Sequence, residues 1–201
     1  MTDKVTLSVV VPTIGRATLG NTLGVILRQI TKDDELIVVV DSSKCDILDM
    51  AFALHEMELF NSCGIVIDCP GNPEVNGFGQ LQKNAGILKA SKSHICFMDD
   101  DDIHSFRAFQ HFRNFASDRP VIFRMKYKDG STLWGKHKVV RVGNYGTPCF
   151  LVPNYLKPED RPLFGMHYCG DADYIKNAIE KYGQPVWREE VVSYIRPDTW
   201  E

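Results

Sequence analysis

Ile95-Cys96-Phe97-Met98-Asp99-Asp100-Asp101-Asp102 joins a short apolar run directly to four consecutive aspartates. The apolar half reads as a buried strand, and the acidic half stands at its C-terminal mouth. Two carboxylates about 4 Å apart repel by roughly 1 kcal/mol in water and by more where solvent is thin. A bound cation would offset that repulsion. Hard divalent ions, Mg²⁺ or Mn²⁺, choose carboxylate oxygens and commonly share their shell with substrate phosphates. The plainer alternative is a solvated acidic turn that caps a helix, since Asp102 precedes Ile103-His104-Ser105 and a helical pattern.

Upstream, strand and helix patterns alternate. Val5 to Val11 is β-branched and apolar and ends at Pro12. Leu19, Leu23, Ile26, Leu27 and Ile30 then recur at helical spacing. Leu36 to Val40 reads as a second buried strand, ended by Asp41-Ser42-Ser43. Asp46 to Phe60 has helical composition, and Gly64 to Asp68 reads as a third strand. Pro70-Gly71-Asn72-Pro73 and Asn76-Gly77 make a loop. A helix is expected from Gly79 to Ser91, then the fourth strand, His94 to Met98. Such alternation predicts βαβ crossovers and a mainly parallel sheet with helices on both faces. Ligands of such sheets bind outside the carboxyl ends of the strands. Thr13, Arg16, Asp41, Ser42 and the aspartates all fall at those ends, so they can converge on one crevice.

Downstream the pattern changes. Ser105 to Ala116 reads as a helix with Phe106, Phe109, Phe112 and Phe115 as a core stripe. Val121 to Lys128, Asp129-Gly130 and Thr132 to Val142 read as a hairpin. Cys149 to Val152 is a further strand, Asp173 to Tyr182 a helix closed by Gly183, and Val191 to Ile195 a last strand before Arg196-Pro197. The expected architecture is one α/β domain over 1–201, with two lobes dividing near Asp102.

The 201 residues suit a single domain, and the net charge of −3 argues against a wholesale nucleic-acid or membrane-surface binder. No apolar stretch is long enough to span a membrane. Met1-Thr2-Asp3-Lys4 runs straight into a strand pattern, so no secretory signal is expected. The six cysteines include no Cys-x-x-Cys pair and read as reduced, mostly buried thiols of a cytosolic protein.

Leu7-Ser8-Val9-Val10-Val11-Pro12-Thr13 with Arg16, and Leu36 to Ser43, resemble the opening of family 2 glycosyltransferases of the GT-A fold. Gln82 to Ala90, leading into Ile95 to Asp102, is similar to that family's Arg-Asn-x-Gly helix and metal-binding Asp-x-Asp, with Lys83 in place of the usual Arg. Gly170-Asp171-Ala172-Asp173 looks like the family's Glu-Asp acceptor motif, with Gly170 in place of Glu. Short members with Gly146-Thr147-Pro148 and a closing Tyr194-Ile195-Arg196-Pro197 look like phage-encoded ones, which would place the protein in a host cytoplasm.

The resemblance implies a GT-A sheet with a smaller mixed β acceptor lobe. It also implies a nucleotide-sugar donor, UDP-linked by preference, a Mn²⁺ or Mg²⁺ cofactor, and transfer with inversion. Asp101 would contact the metal, and Asp99 the ribose or the metal's water shell. Asp100 would join Asp99, Pro12, Thr13, Arg16, Asp41, Lys83 and Asn84 around the donor, with a helix cap as the alternative for Asp100 and Asp102. Asp41 would accept a ring N–H of the base, or cap a turn. Lys83 would meet phosphate or face solvent. Asp171 is the candidate general base, an ionised carboxylate at neutral pH, with Asp173 as the alternative. Trp134 and Thr147 would form the acceptor pocket, and His137 or His167 could complete the metal shell. Arg119, Arg124, Lys126, Lys128, Lys136, Lys138 and Arg141 make a basic region that suits a polyanionic acceptor such as DNA, or is simply solvated. Two other classes compete: a non-catalytic nucleotide-binding module of the same fold, and a metal-dependent nucleotidyltransferase. The latter normally carries a Gly-rich phosphate loop, whereas Pro12 to Arg16 holds one glycine.

Overall fold

The computed structural model describes residues 4–56, 58–72, 79–134 and 137–195. Pro73, the expected Asn76-Gly77 turn, Lys136 and Arg196-Pro197 lie outside them. The first half runs β1 (Leu7–Thr13), α1 (Leu19–Leu27), β2 (Glu35–Val40), α2 (Ile47–His55), α3 (Glu58–Cys63), β3 (Gly64–Asp68), α4 (Gln80–Lys89) and β4 (His94–Phe97). The second runs β5 (Ile103–His104), α5 (Ala108–Phe115), β6 (Val121–Lys126), β7 (Phe150–Pro153), α6 (Gly170–Tyr182) and β8 (Val186–Tyr194).

All eight strands form one curled sheet in the order β3-β2-β1-β4-β7-β6-β8-β5. β1 pairs in parallel with β2 and β4, and β2 with β3. The chain moves outward from β1 to β3, then returns to lay β4 on the other side of β1. That reversal opens a crevice at the carboxyl ends of β1 and β4, where such sheets hold ligands. β7 continues the sheet antiparallel to β4, β6 is antiparallel to β7, and β8 is parallel to β6.

Alternation along β1 builds a core on each face. Val9 and Val11 pack with Leu23 and Ile26 of α1 and Phe109 and Phe112 of α5. Val10 faces the other way, toward Ile87 of α4 and Tyr174 and Ile175 of α6. Helix α4 lies very close to β1: a Cβ on Gly86 would sit 2.4 Å from Val10 Cγ1, so this position admits only glycine without a shift. At the amino end of the sheet the buried acids are satisfied internally. Asp34 accepts from the Leu7 amide at 2.8 Å and Glu35 from the Ser8 hydroxyl at 2.6 Å.

Several expectations change. The predicted hairpin is present but short: across the Asp129-Gly130 turn the Tyr127 amide donates to the Ser131 carbonyl at 2.8 Å, Lys126 bridges Thr132, and the Leu133 amide donates to the Met125 carbonyl at 3.0 Å, while no second strand runs on to Val142 among the described residues. β6 instead finds its ladder partners in β7 and β8, which are longer-range but bury both faces. Asp46 to Phe60 divides into α2 and α3. Helix α6 begins at Gly170, three residues before Asp173, and β8 begins well before Val191. Phe106 is 80% exposed and leaves the core stripe, because α5 begins only at Ala108. The residues after the aspartates form β5 against β8, so neither Asp100 nor Asp102 caps a helix. Of the cysteines, Cys96 and Cys149 are buried and the other four are half-buried.

Candidate active site

The loop after β1 is folded around Asp100, which is only 2% exposed. Its Oδ2 accepts from the Thr13 hydroxyl at 2.7 Å and the Ile14 amide at 3.3 Å, and its Oδ1 pairs with the Arg16 guanidinium. The Thr18 hydroxyl donates to its carbonyl at 2.7 Å. Both carboxylate oxygens are therefore engaged by the neighbouring loop. Asp99 and Asp101, two residues apart, remain partly open, with side chains 31% and 22% exposed. Arg16 Nη1 is 3.5 Å from Asp101 Oδ2.

Asp41, at the end of β2, is 8% exposed. Its Oδ1 gathers three donors: the Ser43 amide at 3.1 Å, the Ser43 hydroxyl at 2.5 Å and the Gly71 amide at 2.7 Å. A Cβ on Gly71 would sit 2.6 Å from Asp41 Oδ2, so this approach depends on glycine.

Lys83 is buried rather than solvent-facing. Its Nζ lies 2.9 Å from Asp99 Oδ1 and donates to the Thr147 hydroxyl at 3.1 Å. Burial pulls the ammonium pKa down, but Asp99 and Asp171 outweigh it and the net shift is upward. Thr147 Oγ1 in turn donates to Asp171 Oδ1 at 2.8 Å. Burial pushes the Asp171 carboxyl up, and Lys83 draws it only partly back. Asn84 holds a neighbouring loop, its amide donating to the Phe164 carbonyl at 3.0 Å and accepting from the Phe164 amide at 2.8 Å.

Asn84 does not line the cleft; the other groups border one cavity of about 1020 Å³, lined among others by Pro12, Asp41, Lys83, Asp101, Thr147 and Asp171. Tyr145, which the sequence reading did not single out, also borders it. Its hydroxyl is buried without a hydrogen-bond partner among the described residues, and its pKa is pushed up to about 12 by burial and by Asp171 and Asp173. Only its position two residues before Thr147 could have marked it.

Asp173 follows the cleft-lining Ala172 but does not itself line the cleft, and pairs with His167 Nε2 at 2.5 Å. His167 Nδ1 accepts from the Cys169 amide at 3.2 Å, so both ring nitrogens are in use. His137 is exposed. Trp134 is 3% exposed and stands in the core, edge-on to Trp187 with ring centroids 5.2 Å apart. Its Nε1–H donates to the Phe123 carbonyl at 2.7 Å, and Arg124 covers its face at 4.5 Å. The structure thus keeps Trp134 away from the cleft wall. Within the basic region, Arg124 and Lys138 approach Glu189 at 3.8 and 3.9 Å, so part of that charge is neutralised locally.

Among the described residues no group of three or more His, Cys, Asp or Glu side chains is placed to hold a metal. Asp99 and Asp101 nevertheless fit a Mg²⁺ or Mn²⁺ ion shared with a substrate, since such ions are commonly held by one or two carboxylates together with phosphate oxygens.

The curled mixed sheet of eight strands flanked by helices has the GT-A architecture. The profile described as Glycosyl transferase family 2 matches residues 8–168, and the chain belongs to that family. No curated protein matches it at the sequence level. Among solved structures, residues 1–349 of TarS from S. aureus in complex with UDP-GlcNAc superpose with a TM-score of 0.71 at 17% identity, over 94% of this chain and 58% of that one. The mannosyltransferase PcManGT from Pyrobaculum calidifontis, in complex with GDP-Man and Mn²⁺, gives 0.69 at 15% identity, over 97% and 58%. Full TarS is covered over only 36% of its length. The chain thus spans between about a third and three fifths of these structures. No described helix is long and apolar enough to cross a membrane.

Proposed function

We propose that this chain transfers a sugar from a nucleoside-diphosphate donor, UDP-linked by preference, to an acceptor hydroxyl with inversion. The observation that carries the reading is one cleft bordered by the Asp99–Asp101 pair and by Asp171. Thr13, Arg16 and Asp41 border its donor end, where Asp41 can accept a ring N–H of the base. In the transfer step the acceptor oxygen bonds to the anomeric carbon as the bond from that carbon to the diphosphate oxygen breaks. The bonding electrons leave with the diphosphate, and Asp171 takes the hydroxyl proton. A Mg²⁺ or Mn²⁺ ion held by Asp101 and Asp99 would supply charge stabilisation for the departing diphosphate. Arg16 adds positive charge beside them. Asp171 is favoured over Asp173 because the Asp173 carboxylate is held by His167.

Calorimetric titration of UDP and GDP, with and without Mn²⁺, tests this reading. Mn²⁺-dependent binding of UDP in preference to GDP is expected. Absence of binding by either nucleotide with the metal present would overturn it.

A further inference from the structure

Lys83 lies between the two acidic halves of the cleft, touching Asp99 directly and reaching Asp171 through Thr147. An ammonium has donors and no acceptor. The Thr147 oxygen, 3.1 Å from Lys83 Nζ, must therefore accept from Lys83. Its single proton is then directed to Asp171 Oδ1, 2.8 Å away. The chain of hydrogen bonds has one possible direction, from Lys83 through Thr147 to Asp171. The same ammonium also binds Asp99 at 2.9 Å. With Lys83 4% exposed, these contacts form where water competes little and charge-assisted hydrogen bonds are strong.

We propose that Lys83 is a positioning residue that, through the Thr147 hydroxyl, fixes one oxygen of Asp171 and ties that carboxylate to Asp99. Oδ1 is held by the Thr147 hydroxyl, and the Thr147 backbone adds a second hydrogen bond to the same carboxylate. Asp99 is fixed by the same cation, so the donor and acceptor sides of the cleft share one buried charge. The proposal rests on the reading of Asp171 as the base. It adds a requirement that this reading lacks: a hydroxyl at position 147 and an ammonium at position 83.

The other groups whose charge reaches Asp171 are Asp99 after β4, and Tyr145 and Cys149 on the segment before β7. The test compares wild type, Thr147→Val and Thr147→Ser by ¹³C NMR titration of aspartate carboxyl groups in metal-free buffer, with Asp171→Asn to assign the signal. Valine keeps the shape and removes the hydroxyl; serine restores it. The expected result is an Asp171 midpoint about one pH unit higher in Thr147→Val, because a hydrogen bond to the charged form is lost, with the wild-type value recovered in Thr147→Ser. Lys83→Met should raise the midpoint further. An unchanged midpoint in folded Thr147→Val would overturn the proposal. Turnover of UDP-GlcNAc by Asp171→Asn is followed separately. A shifted midpoint with undiminished turnover would uphold the clamp and remove Asp171 as the base.

Discussion

The hydroxyl of Thr13 donates to Oδ2 of Asp100 at 2.7 Å although 87 residues separate the two. This bond ties the loop after β1 to the loop after β4, across the point where the sheet changes direction. The second of the four aspartates thus builds the wall on which the first and third are presented. Asp100→Ala should leave the Thr13 hydroxyl, the Ile14 amide and the Arg16 guanidinium without their shared acceptor. A loss of about 2–3 kcal/mol is expected, read from the urea midpoint. UDP affinity should fall as well. An unchanged midpoint would show that the loop holds its shape without Asp100.

Asp101→Asn removes a charged oxygen donor while keeping shape. Nucleotide binding should lose its response to Mn²⁺, leaving a weak, metal-independent remainder. Calorimetry with and without Mn²⁺ checks this. A retained metal response would take Asp101 out of the metal site.

Asp171→Asn separates chemistry from stability. Turnover should fall by about 10²–10⁴-fold, the usual contribution of a positioned base, while UDP affinity holds. In wild type the rate should fall as pH drops through the raised pKa of Asp171 and its base becomes protonated. That acid limb should lie above the value of about 3.9 for a solvated aspartate. For stability the sign is the reverse of a salt-bridged acid. The folded state binds this proton more tightly than the unfolded state. The contribution is therefore full below the unfolded pKa and is lost as pH rises through the folded one. At pH 7 the Asn variant should melt no lower than wild type, and a clearly lower melting temperature would contradict the assignment.

Trp134→Ala should behave in the opposite way. Its ring is buried against Trp187, so truncation should cost about 3–5 kcal/mol. UDP affinity, corrected for the folded fraction, should not change. A selective loss of ligand binding in a stable variant would return Trp134 to the cleft.

Gly86→Ala probes the packing of α4 on β1. The added methyl meets Val10, and a cost of about 1–3 kcal/mol is expected. Combining it with Val10→Ala should recover part of that cost in a denaturation series, and strict additivity would argue against direct contact.

The parallel half of the fold was legible because its signals are local. Leu36 to Val40 and most of Leu7 to Val11 are continuous apolar runs, the pattern that a strand buried on both faces requires. The glycine of the Asn84-Ala85-Gly86 motif likewise has a local mark and a packing reason. In the second half Asp129-Gly130 signals a turn that does fold the chain back on β6, but only as far as Leu133. A turn residue specifies a bend but not the partner of the strand that follows, and β6 gained more by pairing with β7 and β8.

The sequence by itself determined the order of the first four strands along the chain and which carboxylates would gather at their ends, because strand period and strand termini are written in neighbouring residues. Only the tertiary structure decided what each carboxylate does. Asp100 is closed off by Thr13 and Arg16, Asp173 pairs with His167, and Asp171 is reached by Lys83 through Thr147. Those partners lie far apart along the chain or on other elements, and burial, which sets the strength of each contact, exists only once the sheet has brought them together.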